Sequence, residues 1–368
     1  MSTACYQPLQ PMLKRRRYSD TLDYSPRLLN QPTVPEPPPT QIYHDFVTTV
    51  PDQSGKLAIV TGANSGLGYW AARTLAYRGA SVILACRSME KGEEARERML
   101  ADLAEHGVAS ADVRVRFLDL SSFSQVREFG AALRRSEQKV DMLLNNAGVM
   151  GVLRYDTEDG WDVQFQVNHL GHFLLTHELL PLLVKAPDGG RIVQHASLAH
   201  LAGFFDAVNP NEGGRRWMAP VLPPEWRRYA QSKLANLLFA YELGSRFAAR
   251  GLPTVSVAAH PGFSMTHLLR VAAGAQLAPW QRYLTGWHMA SDLGVTQSAQ
   301  DGCASLVHAA TSPSAQSGDY FGPTKRAQTV GMPGKVASHG FSHDTRQAAA
   351  LWLLSEMACG ITFGEGAW

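Results

Sequence analysis

The sequence is short of several things, and each shortage removes a class of protein. Its 368 residues carry four cysteines, Cys5, Cys86, Cys303 and Cys359, scattered and without a CxxC pair. That argues against a disulfide framework and for reduced thiols in a cytoplasmic protein. The formal net charge is only +2 with neutral histidines, so no one-signed field attracts nucleic acid or an acidic membrane surface. No apolar run is long enough to span a bilayer, so no transmembrane segment is expected, and no apolar segment near the start has the form of a secretory signal. No internal repeat is present. No GxSxG elbow surrounds Ser197, which argues against a Ser–His hydrolase even though His195 and His200 flank it. His169, His172 and His177 lack a carboxylate or cysteine at ligand spacing, so they read as packed or capping histidines and no metal is expected.

What is present divides into a tail and one long domain. Residues 1–50 hold the basic run Lys14-Arg15-Arg16-Arg17 and the proline-rich PTVPEPPP. Few residues there can build a core, so a disordered or extended tail is expected. The basic run reads either as a solvated tail or as an address or contact for an acidic partner. Ile42, Tyr43, Phe46 and Val47 offer a short apolar stretch that can pack back on the domain edge. Deleting residues 1–45 is expected to leave folding intact.

From residue 51 to 368 strand and helix patterns alternate. Short apolar runs at Leu57–Thr61, Ser81–Ala85, Val113–Leu118, Met142–Asn145, Ile192–Ala196 and Val255–Ala259 end in Gly, Asp, Asn or Pro, with a seventh strand near Gly318–Gly322. In Phe123–Glu137, Phe123, Val126, Phe129 and Leu133 recur at helical spacing behind Ser121 or Ser122 as N-cap. Such alternation predicts an α/β fold, a doubly wound, mostly parallel Rossmann-type sheet of about seven strands with helices on both faces. No second core is visible.

The first strand runs into Thr61-Gly62-Ala63-Asn64-Ser65-Gly66-Leu67-Gly68, then Ala71, Ala72, Leu75 and Ala76 at helical spacing. Strand, glycine bend and helix make a pyrophosphate cradle: glycine lets the backbone turn and approach a phosphate, and the helix presents free N–H groups and the positive end of its dipole. A tight turn without a ligand is the plainer alternative. The spacing is GxxxGxG, not the GxGxxG of the usual dinucleotide fingerprint. After the second strand, about 20 residues past the glycines, an acid would bond the ribose hydroxyls of NAD. Here Arg87 stands instead. A guanidinium there suits a 2′-phosphate and favours NADP over NAD, unless Arg87 is merely an exposed strand-end residue.

Farther along come Asn145-Asn146-Ala147-Gly148 after the fourth strand, Ser197 after the fifth, and Tyr229-Ala230-Gln231-Ser232-Lys233. Tyr229 and Lys233 share one face of a helix. A phenol ordinarily keeps its proton to about pH 10, and a fixed ammonium nearby favours the phenolate. Such a phenol can exchange a proton with an oxygen that a Ser hydroxyl holds in place.

In that order, TGxxxGxG, NNAG, Ser and YxxxK resemble the short-chain dehydrogenase/reductase family across about residues 55–262. NHLGHFLLT, LACRS, YAQSKLANLLFAYEL and HPG resemble its retinol-dehydrogenase-like and protochlorophyllide-reductase-like branch. Some retinol-dehydrogenase-like relatives carry a membrane anchor, and none is visible in this chain. The resemblance implies a catalytic set of Asn168, which holds a relay water, Ser197, which orients the substrate oxygen, Tyr229 as general acid/base, and Lys233, which tunes Tyr229 and bonds the nicotinamide ribose. It implies a cofactor site of Thr61, Gly62, Asn64, Ser65, Gly66, Leu67, Gly68, Arg87, Asp119 and Leu120 beside the adenine, Asn146, Ala147, Gly148, Tyr229, Lys233, Pro261, Gly262 and Thr266. Asp119 also reads as a helix cap. The implied reaction interconverts a carbonyl and an alcohol with NADP. Reduction of a conjugated C=C bond and cofactor-binding regulation without turnover are the alternatives. Relatives often form homodimers or homotetramers.

Two stretches depart from the pattern. Leu198–Arg228 carries Phe204, Phe205, Trp217, Met218 and Trp226. Residues 263–292 carry Leu268, Leu269, Leu277, Trp280, Tyr283, Leu284 and Trp287. Long loops of this kind are usually functional, and their apolar content suits a lipophilic carbonyl or alcohol substrate. Packing on the domain flank or a partner copy is the other reading.

Overall fold

The computed structural model describes residues 40–207, 210–212, 222–264 and 296–363. A sheet of eight strands lies at the centre: β1 Leu57–Thr61, β2 Ser81–Cys86, β3 Val113–Phe117, β4 Met142–Asn145, β5 Arg191–His195, β6 Val255–Ala259, β7 Tyr320–Lys325 and β8 Val330–Lys335. Their order is β3-β2-β1-β4-β5-β6-β7-β8. All neighbours pair in parallel except β7 and β8, which are antiparallel. Strands buried on both faces need continuous apolar runs, and β1 (Leu-Ala-Ile-Val-Thr) is buried at every position.

The doubly wound expectation holds, with one strand more than the seven expected. Val330–Lys335 reads Val-Gly-Met-Pro-Gly-Lys, and its two glycines and proline hide it from any strand pattern. It lies at the sheet edge, where a proline is tolerated because one side of the strand needs no partner.

Helices α1 Gln41–Thr49, α2 Gly66–Tyr77, α3 Met89–Glu105, α4 Phe123–Ser136, α6 Pro224–Ala249, α7 Ala299–Thr311 and α8 Thr345–Cys359 surround the sheet. Between α4 and α6 lies a composite helix, α5: a turn at Val163–Phe165, a π-helical turn at Gln166–Leu170 and a regular stretch at Gly171–Leu183. Two apolar clusters fill the two sides of the sheet. One joins α4, α5, α6 and α8, the other α1, α2, α3 and α7.

The tail expectation is corrected at its end. Residues 41–49, inside the stretch expected to be disordered or extended, form α1; Tyr43, Phe46 and Val47 are buried, in line with the expected packing of that apolar stretch on the domain edge, and so is Val50. The Asp301 carboxylate accepts from the backbone N–H groups of Thr40 and Tyr43 at 3.1 and 3.2 Å. An anion at a helix N-terminus meets unsatisfied donors and the positive dipole end. Tyr43 Oη lies 2.8 Å from Thr74 Oγ1 on α2. The apolar spacing of this segment was visible, but its partners Thr74 and Asp301 lie far along the chain. A deletion of residues 1–45 therefore removes part of the core.

Candidate functional site

The residues singled out above converge at the carboxyl ends of β1, β4, β5 and β6. Between β1 and β4 the strand order reverses direction, and open α/β sheets leave a crevice at such a switch point. Gly62 and Gly66 both have φ in the left-handed region, +65° and +56°, which only glycine adopts without strain. A Cβ on Gly68 would sit 2.4 Å from Asn146 Nδ2 and 2.6 Å from Gly62 O. The bend is therefore closed against the β4 end with no room for side chains. No side chain caps α2 at Ser65, and no acid lies in its first turn. Its leading N–H groups remain available to an anion, so the glycine cradle fits a dinucleotide phosphate.

Thr61 is fully buried and organises the cradle from beneath. Its Oγ1 accepts from the N–H groups of Asn146 and Ala147 at 2.9 and 2.8 Å and pairs with His172 Nε2 at 2.9 Å. Asn146 Nδ2 donates to Thr61 O at 2.8 Å, and its Oδ1 pairs with His195 Nδ1 at 2.8 Å. One amide side chain thus ties the ends of β1, β4 and β5 together. Asn64, Gly66, Leu67, Ala147, Gly148, Pro261 and Gly262 are half-buried, while Ser65 and Arg87 are exposed. Asp119 accepts from Ser121 N and Oγ at 2.9 and 2.6 Å, a local turn bond ahead of α4 and not the helix cap of its alternative reading. Leu120 is buried against Gly171, in the core. Ser122 stands at the N-cap of α4 without a side-chain bond, and Asp159 accepts from Phe123 N in its place. Thr266 lies outside the described residues.

α6 carries Tyr229 and Lys233 across the end of β5. The Ser197 hydroxyl lies close enough to Tyr229 to favour its ionised form. Lys233 Nζ lies 5.7 Å from the centre of the Tyr229 ring and donates to His195 O at 2.9 Å. Asn168 lies in the π-helical turn, a local departure frequent at functional sites. Its amide bonds both Val149 N and Val149 O, at 2.8 and 2.9 Å, and reaches Ser232 Oγ on α6 at 2.9 Å. A Cβ on Gly148 would stand 3.1 Å from Asn168 Oδ1 and 3.6 Å from Lys233 Nζ, so the NNAG glycine keeps the space between them open. Ser197 and Lys233 thus lie beside Tyr229, and Asn168 is tied to the same helix through Ser232.

The electrostatics differ from the sequence expectation. Burial pushes the Tyr229 phenol up to about 12, opposed by the Ser197 hydroxyl, and it lowers Lys233 to about 7. Both groups leave water together, and desolvation disfavours each charged form. The expected lowering of the phenol by a fixed ammonium is not what opposes burial here; the Ser197 hydroxyl is. At neutral pH Tyr229 holds its proton.

The histidines behave as packed groups. His169 Nε2 pairs with Ser355 Oγ at 2.8 Å, and His172 Nδ1 with Asn168 O at 3.1 Å. No cluster able to hold a metal occurs among the described residues. Of the first long insert, Phe205 is buried in the core below α6, which favours the flank-packing reading for that residue. Trp226 meets the Tyr229 ring edge-on at 6.3 Å between centroids, next to the candidate acid. Trp217, Met218 and the apolar residues named within 263–292 from Leu268 onward lie outside the described residues. Three polar residues escaped sequence reading: Asp162, Gln164 and Arg228 are buried and bonded around the Asn168 and Tyr229 elements. The only signal was that charged and amide residues occupy core phases of otherwise apolar helices.

Residues 56–209 match the sequence profile of the short chain dehydrogenase family. Human retinol dehydrogenase 13 is 46% identical over 216 residues, 59% of this chain and 61% of that protein. Mouse retinol dehydrogenase 14 is 35% identical over 316 residues, 83% of this chain and 86% of that protein. Among solved structures, an uncharacterised protein from Mycobacterium paratuberculosis is 35% identical with a TM-score of 0.67, covering 87% of this chain and 98% of its own. The chain belongs to the short-chain dehydrogenase family, in its retinol-dehydrogenase-like branch. It spans 61% of the length of retinol dehydrogenase 13.

Proposed function

We propose that the protein is an NADP(H)-dependent oxidoreductase that interconverts a carbonyl and an alcohol on a lipophilic small molecule. The observation that carries this reading is Tyr229, next to Ser197 and flanked by Lys233, beside the glycine bend. Similarity to proteins named retinol dehydrogenases supports a bulky apolar substrate with one oxygen, as does the aromatic content of the two inserts. When bound, a reduced nicotinamide supplies the hydride. Ser197 holds the substrate oxygen by its hydroxyl. Tyr229, protonated at neutral pH, gives its phenolic proton to that oxygen as the carbon is reduced, and takes it back in the reverse direction. Lys233, lowered to about 7 by burial, is charged in part of the molecules at neutral pH; an anion bound beside it favours that form, which stabilises the phenolate left behind. The amides of the Gly62–Gly68 bend and the start of α2 hold the pyrophosphate. Arg87 pairs with the 2′-phosphate.

Three buried free thiols, Cys86, Cys303 and Cys359, fit a reducing compartment. No described helix is long and apolar enough to cross a membrane.

The test is a screen of lipophilic aldehydes, ketones and enones that follows NADPH consumption, paired with Arg87→Asp. Carbonyl-dependent NADPH oxidation is expected, with preference moving toward NADH in the variant. Tight NADPH binding with no turnover on any carbonyl would favour a cofactor-sensing regulator. Turnover confined to enones with the carbonyl retained would favour C=C reduction.

A further inference from the structure

Asp162 and Arg228 form a buried ion pair, Arg228 Nε to Asp162 Oδ2 at 3.0 Å, with side chains 6% and 0% exposed. Asp162 stands at the N-cap of α5, where its Oδ1 accepts from Gln164 N and Phe165 N at 3.1 and 3.2 Å. That start of α5 leads directly into the π turn holding Asn168. Arg228 immediately precedes Tyr229. Gln164, fully buried, adds a second tie: its Oε1 accepts from Gly151 N at 2.9 Å, and its Nε2 donates to Glu225 O, in the first turn of α6, at 2.9 Å. A third tie runs from Asn168 Nδ2 to Ser232 Oγ, which in turn donates to Tyr229 O at 2.7 Å. Three elements are thereby fixed to one another: the loop after NNAG, the start of α5 and the first turns of α6.

The arrangement is costly. Burying two charges carries a desolvation penalty that their attraction repays only with good geometry and further bonds. Apolar residues would hold α6 against α5 at least as well. What this pair adds is direction, because a charge contact between two specific buried atoms, with the Gln164 hydrogen bonds beside it, fixes rotation and register where apolar packing tolerates sliding. The need for direction is plain at this place. Most of the long insert Leu198–Arg228 precedes α6, which begins at Pro224, so Tyr229 sits only five residues inside a helix whose entry is not fixed by a short connection.

We propose that the Asp162–Arg228 pair, with Gln164, is a positioning clamp that sets the orientation of the α6 start and so aims Tyr229 at the substrate oxygen held by Ser197. The pair touches neither cofactor nor substrate and acts through the helix. The role in turnover rests on the redox reading above, whereas the tether itself does not.

The test uses the full chain with Arg228→Met, Asp162→Asn and the double variant. Asparagine keeps the N-cap, and the double variant leaves no unpaired buried charge, so it is the one expected to fold in full. Three readouts decide. Turnover with NADPH should fall about 10- to 100-fold in each single variant and no further in the double, while the Kd for NADPH stays within about threefold, since the cradle is untouched. The primary isotope effect from 4-deuterated NADPH should rise, because a misaimed phenol slows the chemical step. A smaller folded fraction would lower turnover and leave the isotope effect as it was. Amide hydrogen exchange over 222–232, read with no substrate, should speed up by about tenfold in the double variant while β1 and β4 keep their protection. Unchanged exchange there overturns the clamp, even if the wild-type chain turns over no carbonyl. Faster exchange with turnover and isotope effect unchanged removes its role in aiming Tyr229.

Discussion

Gly68→Ala sets two known effects against each other, and the structure says which prevails. Gly68 lies in the first turn of α2, where alanine would ordinarily stabilise a helix by about 0.5–1 kcal/mol over glycine. The added Cβ, however, would fall 2.4 Å from Asn146 Nδ2 and 2.6 Å from Gly62 O. Neither neighbour is the loose end of a flexible side chain. Gly62 O is backbone in a left-handed bend, and Asn146 is fixed by Thr61 O on one side and His195 Nδ1 on the other. Overpacking of this kind costs about 1–3 kcal/mol, and breaking the Asn146–Thr61 bond adds about 1 kcal/mol. The balance is a loss of about 1–3 kcal/mol, a fall in Tm of about 1–4 °C for a chain of this size. Because the same displacement opens the glycine bend, NADPH affinity should fall at least about tenfold. Differential scanning calorimetry without cofactor and a fluorescence titration with NADPH measure the two quantities separately. A Tm raised by a degree or two with affinity intact would show that helix propensity decides here, and that the bend is not sealed by Asn146.

Phe46→Ala, in α1, should cost about 3–5 kcal/mol and lower Tm by several degrees with little change in KM, because Phe46 is 1% exposed and remote from Tyr229. An unchanged melting curve would return this segment to the tail. The cofactor-free protein should lose stability as pH falls below about 6.5. Burial holds His169, His172 and His260 down to about 3 and His195 well below its usual value. In that window the unfolded chain binds more protons than the folded one, so stability falls as pH falls. Asp162, raised by burial to about 6, works the other way as a single group. Urea unfolding at pH 7.5 and 5.5 measures the difference. Equal or greater stability at pH 5.5 would mean that these imidazoles are protonated in place.

Much of the fold is legible in the sequence because parallel strands between two helical layers must be apolar throughout. Five-residue runs such as Leu57–Thr61 stand out against the amphipathic helices between them. β8 was hidden because an edge strand can contain Pro333 and two glycines. The ends of β2, β3 and β5 each differ by a residue from the pattern, since hydrogen bonding fixes the boundary and hydrophobicity does not. At the site, each motif residue marks a position where the backbone or the chemistry allows few substitutes, as at Gly62 or Tyr229. The supporting polar network gives no such mark. Thr61, Asn146 and His195 join three strand ends, and Asp162 meets Arg228 across 66 positions of sequence. Such pairings depend on tertiary contact alone. The raised phenol and lowered ammonium also follow from burial, which spacing along a helix cannot report.

Single-turnover hydride transfer in Tyr229→Phe is the most direct measurement of the central claim, that a protonated phenol beside Ser197 donates to the substrate oxygen. With enzyme in excess over NADPH and a carbonyl found in the screen, the rate should fall about 100-fold or more while NADPH binding stays intact. A rate within a few-fold of the wild type would contradict the claim and assign proton transfer to another group.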